Sequence, residues 1–197
     1  MDQRGLVDRA RRGDHDAFTA LVDLTLVRLD SVARLIVRDQ ELARDAVQDT
    51  YIRAWRDLPG LRDPDRFDAW LHRLIVNASL DQVRRRRRRL IEVELTPIEM
   101  PATTDVAGEV ADRDMLEEAL ACLEPGHRAV VVLHYFLGMP LPEVAAAIGI
   151  PLGTAKSRLH HALATMKSAV LREPTTTRSA VAGGHLAWPP NDASTKI

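Results

Sequence analysis

Residues 141–163 read LPEVAAAIGIPLGTAKSRLHHAL, and this stretch decides the fold class of the chain. Small and apolar residues recur at helical spacing up to Gly149, which suits the left-handed backbone of a tight turn. Pro151 then opens a second helix, at a position where its missing N–H costs nothing. The pattern predicts two helices joined by a short turn. The side chains predicted to face inward on the second helix are Ala155, Leu159 and Leu163.

The opposite face of this second helix carries side chains suited to DNA. Lys and Arg match the acceptors on guanine edges, while Ser and Thr bind phosphates or any base. A helix-turn-helix places such a polar second helix in the major groove. The alternative is a corner between two helices with a solvated outer face. The candidate DNA-binding residues are Thr154, Lys156, Ser157, Arg158, His160 and His161.

Helical periodicity extends over nearly the whole chain, and no convincing strand is predicted. Asp14 is a natural N-cap, and the sequence Leu-Pro-Gly at 58–60 ends a helix that begins near residue 41. The β-branched run at 130–132 continues at helical spacing into Phe136. The predicted fold class is therefore all-α.

Two breaks divide this helical chain. Periodicity is lost over 90–112, where two prolines interrupt the segment, and residues 173–197 are rich in Gly, Pro, Ser and Thr. We therefore expect two small helical bundles, residues 1–89 and 113–172, joined by a flexible acidic linker and followed by a disordered tail. Bundles of this size are only marginally stable alone, which favours a protein that works docked on something larger.

The charges are segregated along the chain although the net charge is only −1. Six arginines occupy residues 84–89. Like charges so close repel one another, so an anionic partner explains the run better than a frayed, solvated helix end. The linker holds no base and six acids, Glu92, Glu94, Glu99, Asp105, Glu109 and Asp112.

Composition excludes several classes of function. The only cysteine, Cys122, rules out a disulfide framework and cysteine-rich zinc modules, and the seven histidines show no metal-ligand spacing. Glycine-rich phosphate loops and paired catalytic carboxylates are missing, so we expect neither an enzyme nor a cofactor. Without a signal-peptide core or an apolar run of about 20 residues, we expect a cytoplasmic protein with no membrane contact of its own.

Both halves of the chain resemble bacterial RNA polymerase sigma factors. The helix-turn-helix half resembles their region four, through the sequences at 125–133, 141–145 and 153–159. The sequence ARDAVQDTYIRAW at 43–55 resembles the core-binding part of region two. The sequence FDAWLHRLIVN at 67–77, with Asp81 and the arginine run, resembles the promoter-melting part, and residues 6–22 resemble the start of the extracytoplasmic-function (ECF) class. Both halves in this order are highly specific to that class.

The resemblance implies three binding surfaces. One helix face docks on core polymerase, and a second helix with its preceding loop holds the melted minus-ten strand. The helix-turn-helix reads the minus-thirty-five element, where His134 adds a backbone contact. The implied core-polymerase residues are Asp45, Gln48, Asp49, Arg53 and Arg56. The implied minus-ten residues are Leu61, Arg62, Arg66, Arg73, Asn77, Asp81, Arg84 and Arg85.

The resemblance also implies partners: core RNA polymerase, promoter DNA in double-stranded and melted form, and an anti-sigma factor. The linker acids would mimic nucleic acid in a polymerase channel, or serve as a plain tether. Pro151 departs from the family pattern, and His160 and His161 occupy positions that vary within it. These residues leave the minus-thirty-five preference open. Two other classes remain as alternatives, a DNA-binding regulator that acts without polymerase docking and a helical adaptor.

Overall fold

The computed structural model describes residues 2–92 and 110–172, with side chains described for 2–89 and 116–171. Within these ranges every regular element is helical, so the predicted all-α class is confirmed. The predicted tail lies outside the described residues, as does the predicted acidic linker except for its ends. Three residues at each end of that linker are helical, because the flanking helices reach Glu92 and begin at Val110.

The first bundle contains four helices. They are α1 (Gln3–Ala10), α2 (His15–Val37), α3 (Gln40–Asp57) and α4 (Phe67–Glu92), with short 3-10 turns at Leu58–Gly60 and Pro64–Arg66. The second bundle contains α5 (Val110–Ala121), α6 (Pro125–Val131), α7 (Leu141–Ile148) and α8 (Leu152–Arg172). A π-helical turn, Val132–Phe136, extends α6.

Two aspartates cap helices of the first bundle and also tie them to a neighbour. Asp14 accepts a hydrogen bond from the Ala17 amide at 3.0 Å, as its N-cap assignment predicts. Its carboxylate also accepts one from Arg9 of α1 at 2.8 Å. Asp39 caps α3 in the same way and pairs with Arg86 of the arginine run at 2.9 Å. The caps therefore fix where each helix starts and how it meets the next.

The predicted turn between α7 and α8 is present. Gly149 has φ of 76°, the left-handed conformation that lets α7 end abruptly. The helix α8 starts at Leu152, and the Pro151 carbonyl accepts its first hydrogen bond from the Ala155 amide at 3.0 Å. Ile150 packs against the core between the two helices.

The prediction that Leu163 faces inward is wrong. Ala155 and Leu159 are buried as predicted, but Leu163 is 41% exposed and Ala162 is buried instead. Because an α-helix has 3.6 residues per turn, the buried stripe continues from Leu159 to Ala162. Leu163 lies eight positions after Ala155, so its side chain is rotated about 80° away from that of Ala155.

The two bundles pack against each other and share one contiguous core, which the sequence did not predict. Helices α6 and α7 of the second bundle lie against α2 and α4 of the first. At this contact the buried Arg128 donates to the Leu123 carbonyl at 2.7 Å and to the Ile36 carbonyl of α2 at 2.9 Å. The helices predicted to bind DNA in the two halves are therefore held in one compact body.

Candidate nucleic-acid and polymerase interfaces

The predicted minus-thirty-five residues of α8 lie on its accessible side. Lys156, Ser157, His160 and His161 are exposed, and Thr154 is half-buried. The Ser157 hydroxyl donates to the Thr154 carbonyl at 3.0 Å, so its oxygen remains available as an acceptor. The face thus offers a lysine ammonium and two imidazoles in adjacent turns, a set of groups that fits a groove lined with phosphates and base edges.

Arg158 differs from the other residues on this face because it is half-buried. Its guanidinium lies over Gly126 in the first turn of α6, where an added Cβ would come within 3.1 Å of Nη1. The absence of a side chain at Gly126 therefore leaves room for the Arg158 head. Sequence reasoning did not find this contact, since the two residues are far apart along the chain.

His134 lies in the middle of the π-helical turn, and its ring is held by the backbone. Its Nδ1 is 2.7 Å from the Met139 carbonyl oxygen. A carbonyl only accepts, so this nitrogen carries the proton, and Nε2 is the other polar atom of the ring. His134 is half-buried, and its ring centroid lies 4.8 Å from that of Tyr135, which is 61% exposed.

The predicted minus-ten residues form a polar stripe along α4 and the turn before it. Arg62, Arg66, Arg73 and Arg84 are exposed, whereas Asn77 and Asp81 are half-buried. Arg84 pairs with Asp81 at 2.9 Å and Arg66 lies 3.9 Å from Asp63. Arg73 makes no ion pair among the described residues. Leu61 is half-buried and packs against the core, so its apolar side chain anchors the loop.

The arginine run divides into two parts at the end of α4. Arg84 and Arg86 are paired at 2.9 Å with Asp81 and Asp39, and Arg85 lies 4.0 Å from Asp49 of α3. The side chains at 87–89 are exposed and have no ion-pair partner within the described part of the chain. The last turn of this surface therefore presents three adjacent cationic groups to solvent, as expected for an anion-binding surface.

The aromatic side chains next to this stripe serve mainly the core. Phe67 is 2% exposed, and Trp70 is half-buried with its ring 6.0 Å from that of Phe67. Neither ring lies open as a stacking platform in this arrangement.

The predicted polymerase face of α3 lies opposite its packed face. On the packed face, Tyr51 hydrogen-bonds Thr25 at 2.8 Å, and Trp55 contacts His15 and Phe18 with ring centroids 4.5 and 4.9 Å away. The exposed or half-buried residues of the opposite face are Asp45, Gln48, Asp49, Arg53 and Arg56.

Ile52 lies on that same face and was missed by the sequence reasoning. It is 58% exposed, an unusual state for a large apolar side chain between charged neighbours. Helical spacing places it one turn from Gln48 and Arg56, and this position on the polar face is the signal that identifies it. The face is therefore a charged ring around an apolar centre, which is the usual anatomy of a protein–protein contact.

The described residues give no sign of a metal site or a membrane span. No three histidine, cysteine, aspartate or glutamate side chains in the described ranges come together to hold an ion. None of the described helices is both long and apolar enough to cross a bilayer.

A helix-turn-helix in one bundle and an arginine-bearing helix in the other define a two-module DNA-binding protein, and comparison with known proteins gives its family. Residues 21–89 match the family model for sigma-70 region 2, and residues 113–166 match that for sigma-70 region 4. The chain is 36% identical over 135 residues to the RNA polymerase sigma-E factor of Streptomyces avermitilis, across 68% of this chain and 74% of that protein.

Three further proteins are similar to this chain. The chain is 35% identical over 156 residues to the ECF RNA polymerase sigma factor SigE of Mycolicibacterium smegmatis, across 75% of this chain but only 60% of that protein. Among solved structures, the sigma factor RpoE in complex with the anti-sigma factor NepR from Bartonella quintana is similar at a TM-score of 0.68 and 26% identity, across 80% of this chain and 98% of that one. CnrH in complex with the cytosolic domain of CnrY is similar at a TM-score of 0.63 and 30% identity, across 87% of this chain and 99% of that one. The chain belongs to the ECF class of RNA polymerase sigma factors.

Proposed function

We propose that the chain is a dissociable, non-enzymatic initiation factor that binds core RNA polymerase in the cytoplasm, directs it to specific promoters and assists their melting. Residues 1–89 and 113–172 are its two working modules, and residues 90–112 tether them. The observation that carries the proposal is the presence, in one chain, of a helix-turn-helix and a cationic helix, each within its own sigma-region match.

The outer face of α3 is the proposed polymerase contact. Its inner face is buried in the bundle through small residues such as Ala46, Thr50 and Ala54, and Tyr51 and Trp55 beside them contact α2. The outer face is therefore free for a partner. Exposed Ile52 supplies apolar area, and the charges around it supply orientation and exclude other partners.

The stripe on α4 is the proposed minus-ten contact. Exposed Arg62, Arg66 and Arg73 form a cationic track beside the polar Asn77. A cationic track with polar side chains suits a single strand whose bases have left the stack. The exposed arginines at 87–89 extend the same positive charge toward the neighbouring backbone phosphates.

The outer face of α8 is the proposed minus-thirty-five contact. Lys156 is the exposed cation that points away from the core in the first half of this helix, where a recognition helix meets base edges. His134 contributes from the preceding turn through its Nε2, since Nδ1 is already engaged by the protein.

An anti-sigma protein is the proposed inhibitory partner. Of two similar solved structures, one is the sigma factor RpoE bound to the anti-sigma factor NepR, and the other is CnrH bound to the cytosolic domain of CnrY. An inhibitor that covers the faces of α3 or α8 would block polymerase or promoter in one step.

Transcription in vitro with bacterial core polymerase and fragmented genomic DNA, with and without this chain, tests the proposal. We expect discrete new start sites that depend on the chain, and their upstream sequences give its promoter motif. If the chain fails to bind core polymerase on gel filtration and yields no transcripts, the proposal is wrong and a polymerase-independent regulator takes its place.

The Lys156→Ala variant separates base reading from phosphate binding on that motif. If Lys156 contacts a base, binding to the matched minus-thirty-five duplex should weaken by about 1–3 kcal/mol, and the preference at one position should relax. Fluorescence anisotropy on duplexes with single substitutions measures both quantities. An equal loss on every duplex would assign the ammonium to a phosphate instead.

A further inference from the structure

The loop before α4 mixes two bases with two acids, since residues 62–66 read RDPDR. The two bases, Arg62 and Arg66, are exposed and belong to the proposed minus-ten contact. The two acids, Asp63 and Asp65, are unexpected in a surface that binds a polyanion, because each carboxylate repels nearby phosphates. Both carboxylates are engaged by the protein itself.

Asp63 holds the backbone of its own turn. Its Oδ1 accepts a hydrogen bond from the Asp65 amide at 3.1 Å and so caps the 3-10 turn Pro64–Arg66. Its carbonyl oxygen accepts another from the Arg66 amide at 3.1 Å. The Asp63 carboxylate is therefore used to set the shape of the turn.

Asp65 joins this turn to α1. Its Oδ2 accepts a hydrogen bond from Nη1 of Arg4 at 2.8 Å, across 61 positions of the chain. The helix α1 also packs against the turn. It is fixed in the first bundle, because its Leu6 and Val7 are buried at 4% and 0% exposure. Arg4 therefore ties the middle of the loop to an anchored helix.

Apolar packing holds only the two ends of the loop. Before it, Leu58 is buried and Leu61 packs against the core. After it, Phe67 is buried. The stretch between these anchors, 62–66, is mostly exposed. The contact with Arg4 therefore acts on the part of the loop that the core does not fix.

We propose that Arg4 is a positioning residue for promoter reading, which acts through Asp65 to hold the loop with Arg62 and Arg66 turned toward the melted minus-ten strand. Pairing also neutralises the Asp65 carboxylate, so that it no longer repels the strand. The inference rests on the proposed function. It adds α1 to the promoter-reading surface, although α1 lies before the residues that match sigma-70 region 2, which begin at 21.

The exposure of the pair sets the size of the expected effect. The side chains of Arg4 and Asp65 are 58% and 61% exposed, so their ion pair adds little to the stability of the fold. A pair of this kind favours one position of the loop by a factor of about two to five. Loss of the pair should therefore change base preference and leave urea unfolding unchanged.

Two substitutions break the pair and change the net charge in opposite directions. Arg4→Met removes a positive charge, and Asp65→Asn removes a negative one. Overall affinity for promoter DNA should fall in the first variant and rise in the second, because DNA is a polyanion. The preference for the matched minus-ten element over single-base variants of it should fall about two- to fivefold in both.

The measurement uses core polymerase assembled with each full-length variant, on the promoter found in the transcription assay. Permanganate reactivity of unpaired thymines reports the fraction of open complex on the matched and altered minus-ten elements. The variant that combines Arg4→Met with Asp65→Asn should lose no more preference than either single variant, since all three lack the same contact. Arg4→Lys keeps the charge and should retain most of the preference.

Arg34→Met is the matched control. It removes the same charge from α2 and breaks an exposed ion pair, in which Arg34 lies 2.6 Å from Asp30. Neither residue belongs to a proposed DNA or polymerase face, so the base preference should not change. If Asp65→Asn alters the preference and Arg4→Met does not, Asp65 contacts DNA directly and the role of Arg4 is overturned. Equal preference in every variant overturns it as well.

A second readout on the free chain separates this inference from the proposed function. Backbone ¹⁵N relaxation should show the amides of the 62–66 loop becoming more mobile on the ps–ns timescale in Arg4→Met, but not in Arg34→Met. If the unmutated chain forms no open complex on any promoter, the proposed function is wrong. Increased loop motion in Arg4→Met would then still confirm the tie to α1, and unchanged motion would overturn it.

Discussion

His72 is a single buried side chain that should give the fold a pH dependence. It lies on α4, 7% exposed, and its Nε2 has no partner among the described residues. Burial, and then the positive charge of Arg28, lower the pKa of His72 from 6.5 to about 4. The unfolded chain therefore takes up the proton first, and stability that is present above pH 6.5 is lost as the pH falls from 6.5 toward 4.

Replacing this imidazole should remove that part of the pH dependence. Between pH 7 and 5, the unmutated protein should lose up to about 2 kcal/mol of unfolding free energy relative to His72→Leu. At pH 7 the variant should be as stable or more stable, because it removes a buried nitrogen that lacks a partner. Urea unfolding at several pH values measures both effects. Parallel pH curves for the two proteins would show that His72 is not the titrating group.

A second prediction about a single residue concerns Gly126, which leaves room for the Arg158 guanidinium. In Gly126→Ala the new methyl group would lie 3.1 Å from Nη1, so the guanidinium must move. Because it is the far end of a flexible side chain, stability should not fall, and alanine in a helix should add about 0.5–1 kcal/mol. Minus-thirty-five preference should change, since a displaced Arg158 meets different groups.

The matched control for this substitution is Gly5→Ala in α1, where an added Cβ meets nothing within 4 Å. Thermal unfolding should show a comparable gain in stability for both variants. Anisotropy on minus-thirty-five duplexes should change in Gly126→Ala alone. Unchanged duplex selectivity in both would mean that Arg158 takes no part in reading DNA.

At the scale of elements, α3 shows how one helix serves two partners. Its inner face is buried in the bundle, where Tyr51 and Trp55 contact α2, and its outer face holds Ile52 among charged side chains. Ile52→Ala should weaken binding to core polymerase about tenfold, the usual loss for a central apolar contact. Because alanine is the stronger helix former, the fold should not be destabilised.

Val27→Ala is the control for that experiment, since Val27 is 78% exposed on α2, outside the proposed polymerase face. Surface-immobilised core polymerase measures both affinities, and circular dichroism checks both folds. If Val27→Ala loses as much affinity as Ile52→Ala, or if neither loses any, Ile52 is not at the centre of the contact.

The local parts of this structure could be predicted from sequence and the non-local parts could not. Periodicity and caps are encoded within a few residues, which is why the Asp14 cap, the Gly149 turn and the helical character of 130–132 were all found. The prediction for Leu163 was wrong because it placed inward residues every four positions, whereas the helix repeats every 3.6 residues. The contacts of Arg128 with Ile36 and of Arg158 with Gly126 join distant segments, and no pattern in the sequence marks them.

At the scale of the whole molecule, the shared core should make the two bundles unfold together. Each bundle alone is small enough to be marginal, so the contact that joins them stabilises both. In differential scanning calorimetry the unmutated protein should show one transition, with van't Hoff and calorimetric enthalpies nearly equal. Arg128→Met should give two overlapping transitions, because bundles that separate readily unfold independently. The control is Arg12→Met, which removes the same charge from an exposed site in the turn before α2 and should behave like the unmutated protein. A single unchanged transition in Arg128→Met would mean that apolar packing alone couples the halves.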